Sequence, residues 1–286
     1  MEKEDIGIMV AENQLSFDFS EIEKQDEEES AIFTQTFIKA KNYDWIKDEV
    51  LFVAVKANHY EIAKDFSNLD LCGKKMLDWV LMAGSDCETK IINDSEDIFA
   101  SIRSLSTTKP IIAVFYSDTP LLDKITFNKI CDYFSSRNMN FLQLSRGFVI
   151  KTDFIKNNTY FAQGVNLYED KNLLIVDNAK SLSYVSNSLY NKILAFHQKN
   201  GVIIFGQNTV FIDADVEIES GVIIYPNNVI QGQSIIGQGV VLQSGNIIRD
   251  SIITNGCTLK ACFVENSKIT SGAAIEPFSK IINEEI

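Results

Sequence analysis

The sequence predicts an α/β protein: an open sheet domain of the Rossmann type followed by a short parallel β-helix. Three observations predict it. Isoleucine or leucine falls at Ile212, Ile218, Ile224, Ile230, Ile236 and Leu242, six residues apart each time. Upstream, between residues 49 and 200, short apolar runs alternate with segments of helical spacing. One longer helical segment, "SLSYVSNSLYNKILAFHQKNGV" (181–202), joins the two and stops at Gly201.

A period of six suits neither an α-helix nor an ordinary strand, and an irregular β-sandwich would alternate with period two. It suits triangular coils in which each side is a short strand with one apolar side chain turned inward. Four residues after each inward position comes Val216, Val222, Asn228, Ser234, Val240 or Asn246. Glycines such as Gly221, Gly232 and Gly239 allow tight corners, and Asn228 and Asn246 are placed to stack between coils. The register slips after Ile248 and returns to six at Ile275, so the helix is expected from about Val210 to about Pro277. Outward isoleucines (Ile223, Ile235, Ile247, Ile252) and open ends predict a homotrimer packed side by side.

In the α/β part, "EVLFVAV" (49–55) and "KPIIAVFY" (109–116) are buried-strand runs. Segments 73–84, 96–105 and 123–138 carry helical spacing, and 146–155 and 171–177 are further strand candidates. Strands alternating with helices give a mainly parallel sheet, with ligands beyond the carboxyl ends of its strands.

Composition narrows the function classes. The net charge of −13 disfavours nucleic-acid binding, because phosphate backbones need the opposite sign. No apolar run is long enough to span a membrane, and no basic n-region with an apolar stretch opens the chain. Five cysteines, odd in number and without CxxC spacing, predict reduced, mostly buried thiols in a cytoplasmic protein. Residues 1–30 hold 11 acidic residues against two lysines, so residues 1–48 are expected to be an acidic, partly disordered extension. The domains that follow are expected at 49–200 and 201–286.

Four segments resemble one family, the bacterial N-acetylglucosamine-1-phosphate uridyltransferases. "CGKKMLDWVL" (72–81) resembles its CGKPMLEHVL, and "AVFYSDTPLL" (113–122) its strand ending in GDxPL. "VDNAKSL" (176–182) stands where the family has VNNRLQL. "NGVIIFGQNTVFIDADVEIESGVIIYPN" (200–227) and the closing "IEPFSK" (275–280) follow its hexapeptide helix. The resemblance implies a nucleotidyltransferase-like sheet domain, a left-handed β-helix, and UDP-N-acetylglucosamine synthesis from UTP and a sugar phosphate with Mg²⁺. It also implies a metal held by Asp118 and Asp177, and a nucleotide or nucleotide-sugar ligand.

The family's chemistry needs a glycine loop to cradle the triphosphate and cations to offset developing charge. Its LAAGxGTRM loop falls on "AVKANHYEIAKDF" (54–66), which has no glycine and no arginine, only Lys56 and Lys64. The GTGHA, GYGR, EKDA and NTG motifs have no counterpart. The acetyltransferase half, with its catalytic histidine, is expected to be missing, since no histidine follows His197. That also removes an acyltransferase confined to the coils. Lys74 and Lys75 read as a solvated helix start, His59 beside Tyr60 as a surface residue, and His197, Trp45 and Trp79 as structural. Two readings remain: a degenerate nucleotidyltransferase-like binding or assembly module, and a working nucleotidyltransferase with a divergent loop. Sequence loss favours the first.

Overall fold

The computed structural model describes residues 42–57, 70–158 and 167–286. Most of the expected N-terminal extension lies outside these residues; its last part forms helix α1 (Trp45–Glu49), which leads directly into β1 (Val50–Lys56). The described chain falls into two compact units. One holds Lys75–Ser188 with residues 42–57 and 70–71; the other holds Cys72–Lys74 and Leu189–Ile286.

The first unit is mixed α/β. After β1 come β2 (Asp70–Leu71), β3 (Lys74–Lys75), α2 (Met76–Ala83), β4 (Glu88–Asn93), α3 (Ile98–Arg103) and β5 (Ile111–Tyr116). Then come α4 (Lys124–Ser136), β6 (Phe141–Leu144), β7 (Phe148–Lys151), α5 (Thr152–Asn157) and β8 (Leu167–Tyr168). Six strands form one sheet in the order β4-β1-β5-β7-β6-β8. β1 is parallel to β4 and β5, whereas β7 is antiparallel to β5 and β6.

The sheet is buried on both faces, which is why β1 and β5 read as unbroken apolar runs rather than alternating ones. Val50, Phe52 and Ala54 share a cluster with Val80 of α2 and Phe127 of α4. Leu51, Val53 and Val55 share the other with Ile102 of α3 and Ile155 of α5. Phe52 stacks on Phe115 at 5.3 Å and meets Phe127 edge-on at 5.2 Å. Gly84 lets α2 end against this ring pair, because a Cβ there would lie 2.3 Å from Phe52.

Two expected strands are corrected. Over 146–155 the strand stops at Lys151 and the chain turns into α5. Thr152 causes the turn: its N–H donates to the Pro110 carbonyl at 2.8 Å and its hydroxyl to the Lys109 carbonyl at 2.6 Å. Over 171–177 no strand forms. Asp170 caps a 3₁₀ turn, Lys171–Leu173, by accepting from the Asn172 N–H, and Leu173 and Val176 are buried without a ladder. Strands β4 and β6 were not foreseen. β4 is an edge strand whose residues are mostly exposed, so its apolar signal is weak.

The second unit begins in helix α6 (Ala179–Lys199), whose first half belongs to the first unit. Beyond it the chain climbs in short strands from β9 (Ile203–Ile204) and β10 (Phe211–Ile212) to β22 (Lys280–Ile282). These stack as three parallel sheets of five, four and five strands, the arrangement of a β-helix. All six inward residues from Ile212 to Leu242 are buried, as are all six second positions from Val216 to Asn246. The stack is longer than expected: β9 already pairs with the coil above it through Ile203 and Ile223, and β22 lies beyond Pro277.

The slips in register have a physical cause. Ile230 pairs with Ile248, three sides of six apart, but Ile248 pairs with Val264. The shortened corners turn on Asp250 (φ 46°), Ala261 (φ 51°) and Asn266 (φ 46°), non-glycine residues in the left-handed region. Inside the corners, Asn246 donates to Asn228 Oδ1 at 2.8 Å, and Ser234, Ser251 and Ser267 pass backbone N–H bonds from coil to coil.

Candidate functional site

The carboxyl ends of β1, β4 and β5 form the edge where an open sheet presents ligand-binding groups. Ser117, just past β5, ties this edge together: its N–H donates to the Val55 carbonyl at 2.8 Å and its hydroxyl accepts from the Ala57 N–H at 3.0 Å. Asp118 follows and is fully buried.

An arginine spans the Asp118 carboxylate. Arg146 Nε lies 3.3 and 3.0 Å from the two oxygens, and Nη2 lies 3.0 Å from Oδ2. Nη2 also stands 4.0 Å from an oxygen of Asp94, just past β4. The guanidinium carbon sits 3.9 Å over the Tyr116 ring, a cation–π contact. Burial first, then the Asp94 charge, raises the Tyr116 phenol above its ordinary pKa.

The turn between β6 and β7 delivers this arginine. Because β7 runs antiparallel to β5, with Phe148 beside Val114, the turn returns to the end of β5. Gly147 makes the approach feasible: its φ is +105°, and a Cβ would lie 2.1 Å from the Val114 carbonyl oxygen.

Asp177 is brought close along the chain. The Val176 N–H donates to the Asp118 carbonyl oxygen at 2.8 Å, one residue before Asp177. Its side chain is exposed and engaged at the start of α6, accepting from Asn178 Nδ2 at 2.6 Å and Ser181 Oγ at 3.0 Å. Asn178 caps α6 by accepting from the N–H groups of Lys180 and Ser181. Beside it opens a cleft of about 720 Å³ lined by Ser145, Lys171, Leu174, Asp177, Lys180 and Tyr184, among others. Its mix of carboxylate, ammonium, hydroxyl and aromatic groups suits a polar ligand with a flat part.

No protein-family model matches the chain. Curated relatives do. The chain is 35% identical to the bifunctional protein GlmU of Clostridium acetobutylicum over 109 residues, 38% of this chain and 24% of that one. It is 32% identical to GlmU of Clostridium beijerinckii over 118 residues, 41% and 26% of the two chains. GlmU of Caldanaerobacter subterraneus gives 30% over 123 residues, 43% and 27%. Over these stretches the chain is similar to GlmU. It is a divergent, partial likeness: the match spans about a quarter of the GlmU length. The crystal structure of Rv0371c from Mycobacterium tuberculosis H37Rv aligns with 49% of this chain and 98% of its own at a TM-score of 0.37 and 13% identity, too loose to fix the fold.

The Mg²⁺ implied by the resemblance to the uridyltransferases needs carboxylate oxygens open to it. Both oxygens of Asp118 face Arg146, and among the described residues no three His, Cys, Asp or Glu side chains converge as metal ligands. The described residues therefore do not fit a metal at Asp118.

Other expected residues fall in several places. His59, Tyr60 and Lys64 lie outside the described residues. Lys74 pairs with Asp215 within the second unit. Trp79 is core, donating its indole N–H to the Leu71 carbonyl at 2.8 Å. His197 is buried on α6, and burial lowers its pKa to about 4. Four cysteines are buried and Cys87 is half-buried. Sequence reasoning missed Arg146, Asp94 and Tyr116 as a group. The one available signal was an arginine directly before a glycine at the start of a strand run.

Proposed function

We propose that this chain is a sugar-nucleotidyltransferase-like protein, related to the UDP-N-acetylglucosamine pyrophosphorylases, that has lost catalysis and serves as an oligomeric binding or assembly module in the cytoplasm. One observation carries the reading. β1, the strand that should lead into a phosphate-cradling loop, runs through Lys56 and Ala57 into a segment without a glycine before Gly73. Without glycine the backbone N–H groups cannot close on a triphosphate, and offsetting its charge falls to side chains alone. The likeness to GlmU supports the descent.

On this reading residues 49–200 are a reduced nucleotidyltransferase-like domain and residues 201–286 a left-handed β-helix that trimerises. The stacked outer surface supports a trimer, with Ile203, Phe205, Tyr225 and Ile247 exposed along it. The ligand is a nucleotide or nucleotide sugar, and the cleft at the start of α6 is where it would sit. Nucleic acid and membrane are not partners.

The second reading, an active enzyme making a UDP-sugar with Mg²⁺ between Asp118 and Asp177, draws on the closeness of the two segments through Val176. It requires Arg146 to leave Asp118. Light scattering on the full chain, with thermal-shift titrations of UTP and UDP-N-acetylglucosamine, tests the module. A mass of three chains and a ligand-dependent shift are expected. A monomer at micromolar concentration that no nucleotide stabilises would contradict it.

A further inference from the structure

We propose that Arg146 is the resident cation at the carboxyl end of the sheet, holding the place beside Asp118 and Asp94 that a divalent metal would otherwise take. This deepens the functional reading above, whose loss of metal chemistry it explains, but it stands on separate geometry.

A carboxylate buried to 0% exposure needs a positive charge against it, because an uncompensated ion in a low-dielectric interior is strongly disfavoured. A bound metal or a side chain can supply that charge. Arg146 supplies it, with Nε and Nη2 both 3.0 Å from Oδ2 and Nε also 3.3 Å from Oδ1 of Asp118. A metal binding directly to that carboxylate needs the same lone pairs.

The guanidinium is held in place, not merely nearby. The guanidinium carbon sits 3.9 Å over the Tyr116 ring, and Asp94 stands 4.0 Å from the same Nη2 that meets Asp118. Gly147, where a Cβ would be strained at φ +105° and would press on the Val114 carbonyl, sets the backbone that carries the arginine. The side chain is a quarter exposed, so removing it would open the carboxylate to solvent and to ions.

The test is Mn²⁺ titration of the full chain by calorimetry and electron paramagnetic resonance, with Tm followed in parallel. Wild type should show no saturable site at Asp118, and Asp118→Asn should leave its titration unchanged. Arg146→Ala should bind one Mn²⁺ saturably, at concentrations at least about tenfold below those at which wild type shows any uptake, and lose it when Asp118→Asn is added. Its Tm should fall and recover with Mn²⁺. Arg146→Met, closer in bulk, should do the same, which guards against a variant that folds poorly for steric reasons.

Saturable Mn²⁺ binding by wild type that Asp118→Asn abolishes would overturn the proposal. So would Arg146→Ala and Arg146→Met chains that neither bind Mn²⁺ nor regain stability with it. Failure of the functional reading looks different. A wild-type chain that turns over UTP, while only the Arg146 variants take Mn²⁺ at Asp118, would sink that reading and leave this one standing.

Discussion

Asn246 donates its Nδ2–H to the Oδ1 of Asn228, one coil away, at 2.8 Å. The pair is fully buried, and neither amide is left to solvent. Asn246 also donates to the Gln243 carbonyl and accepts from the Cys262 N–H, so one side chain links the Asn228 amide to backbone groups of its own coil and the next. Asn246→Leu would leave the buried Cys262 N–H without its acceptor, whereas Asn228 Oδ1 keeps the Asn246 backbone N–H and the Gln243 carbonyl keeps Asn228 Nδ2. A loss of about 1–3 kcal/mol is expected in urea unfolding, the cost of one buried orphan. A change under half a kcal/mol would show that the ladder is not structural.

Gly147 and Gly221 both have positive φ, but only one is crowded. A Cβ at Gly147 would meet the Val114 carbonyl, whereas at Gly221 nothing lies within 4 Å. Gly221→Ala should therefore cost only the backbone strain, about 1–2 kcal/mol. Gly147→Ala should cost clearly more, about 3 kcal/mol or above, because the turn must shift. Equal denaturation midpoints for the two variants would contradict the assigned approach.

His197 ties stability to pH. Its folded pKa of about 4 lies below the ordinary imidazole value, with burial as the cause. Between the two values the unfolded chain binds a proton that the folded chain does not. This contribution is full above about pH 6.5 and is lost as pH falls toward 4. It should amount to about 2 kcal/mol between pH 7 and pH 5. His197→Leu should flatten that part of the profile; an unchanged slope would assign the pH dependence to other groups.

Cys87 is the one cysteine that is not fully buried. Desolvation, followed by the Asp86 charge, nevertheless raises its pKa to about 11. At pH 7.5 it should carry about a hundredfold less thiolate than an ordinary cysteine and alkylate correspondingly slowly. Mass spectrometry should find little modification in the native chain and five alkylated thiols in urea. Rapid native labelling at Cys87 would contradict its surroundings.

The coils were legible because one buried residue per side imposes a period of six, which shortens only where Asp250, Ala261 and Asn266 turn the corners. β1 and β5 were legible as well, since burial on both faces leaves an unbroken apolar run. The strand over 171–177 was misread because Leu173 and Val176 are apolar for packing, while their N–H groups go to the Asp170 and Asp118 carbonyls and not to a ladder. The partners of Arg146 were not legible beyond its place before Gly147 at the start of a strand run. Its role depends on an antiparallel return that places residue 146 beside residue 118, and nothing local in the sequence encodes that meeting.

The central claim, that this chain no longer transfers a nucleotidyl group, is tested most directly by coupled pyrophosphate release. The full chain would be given UTP, N-acetylglucosamine 1-phosphate and Mg²⁺. Loss of one preorganised electrostatic group costs about 10²–10³ in rate, and both the glycine loop and its arginine are missing. No release above the protein-free background is expected. Release that wild type supports and Asp118→Ala abolishes would contradict the account and make this chain a working enzyme.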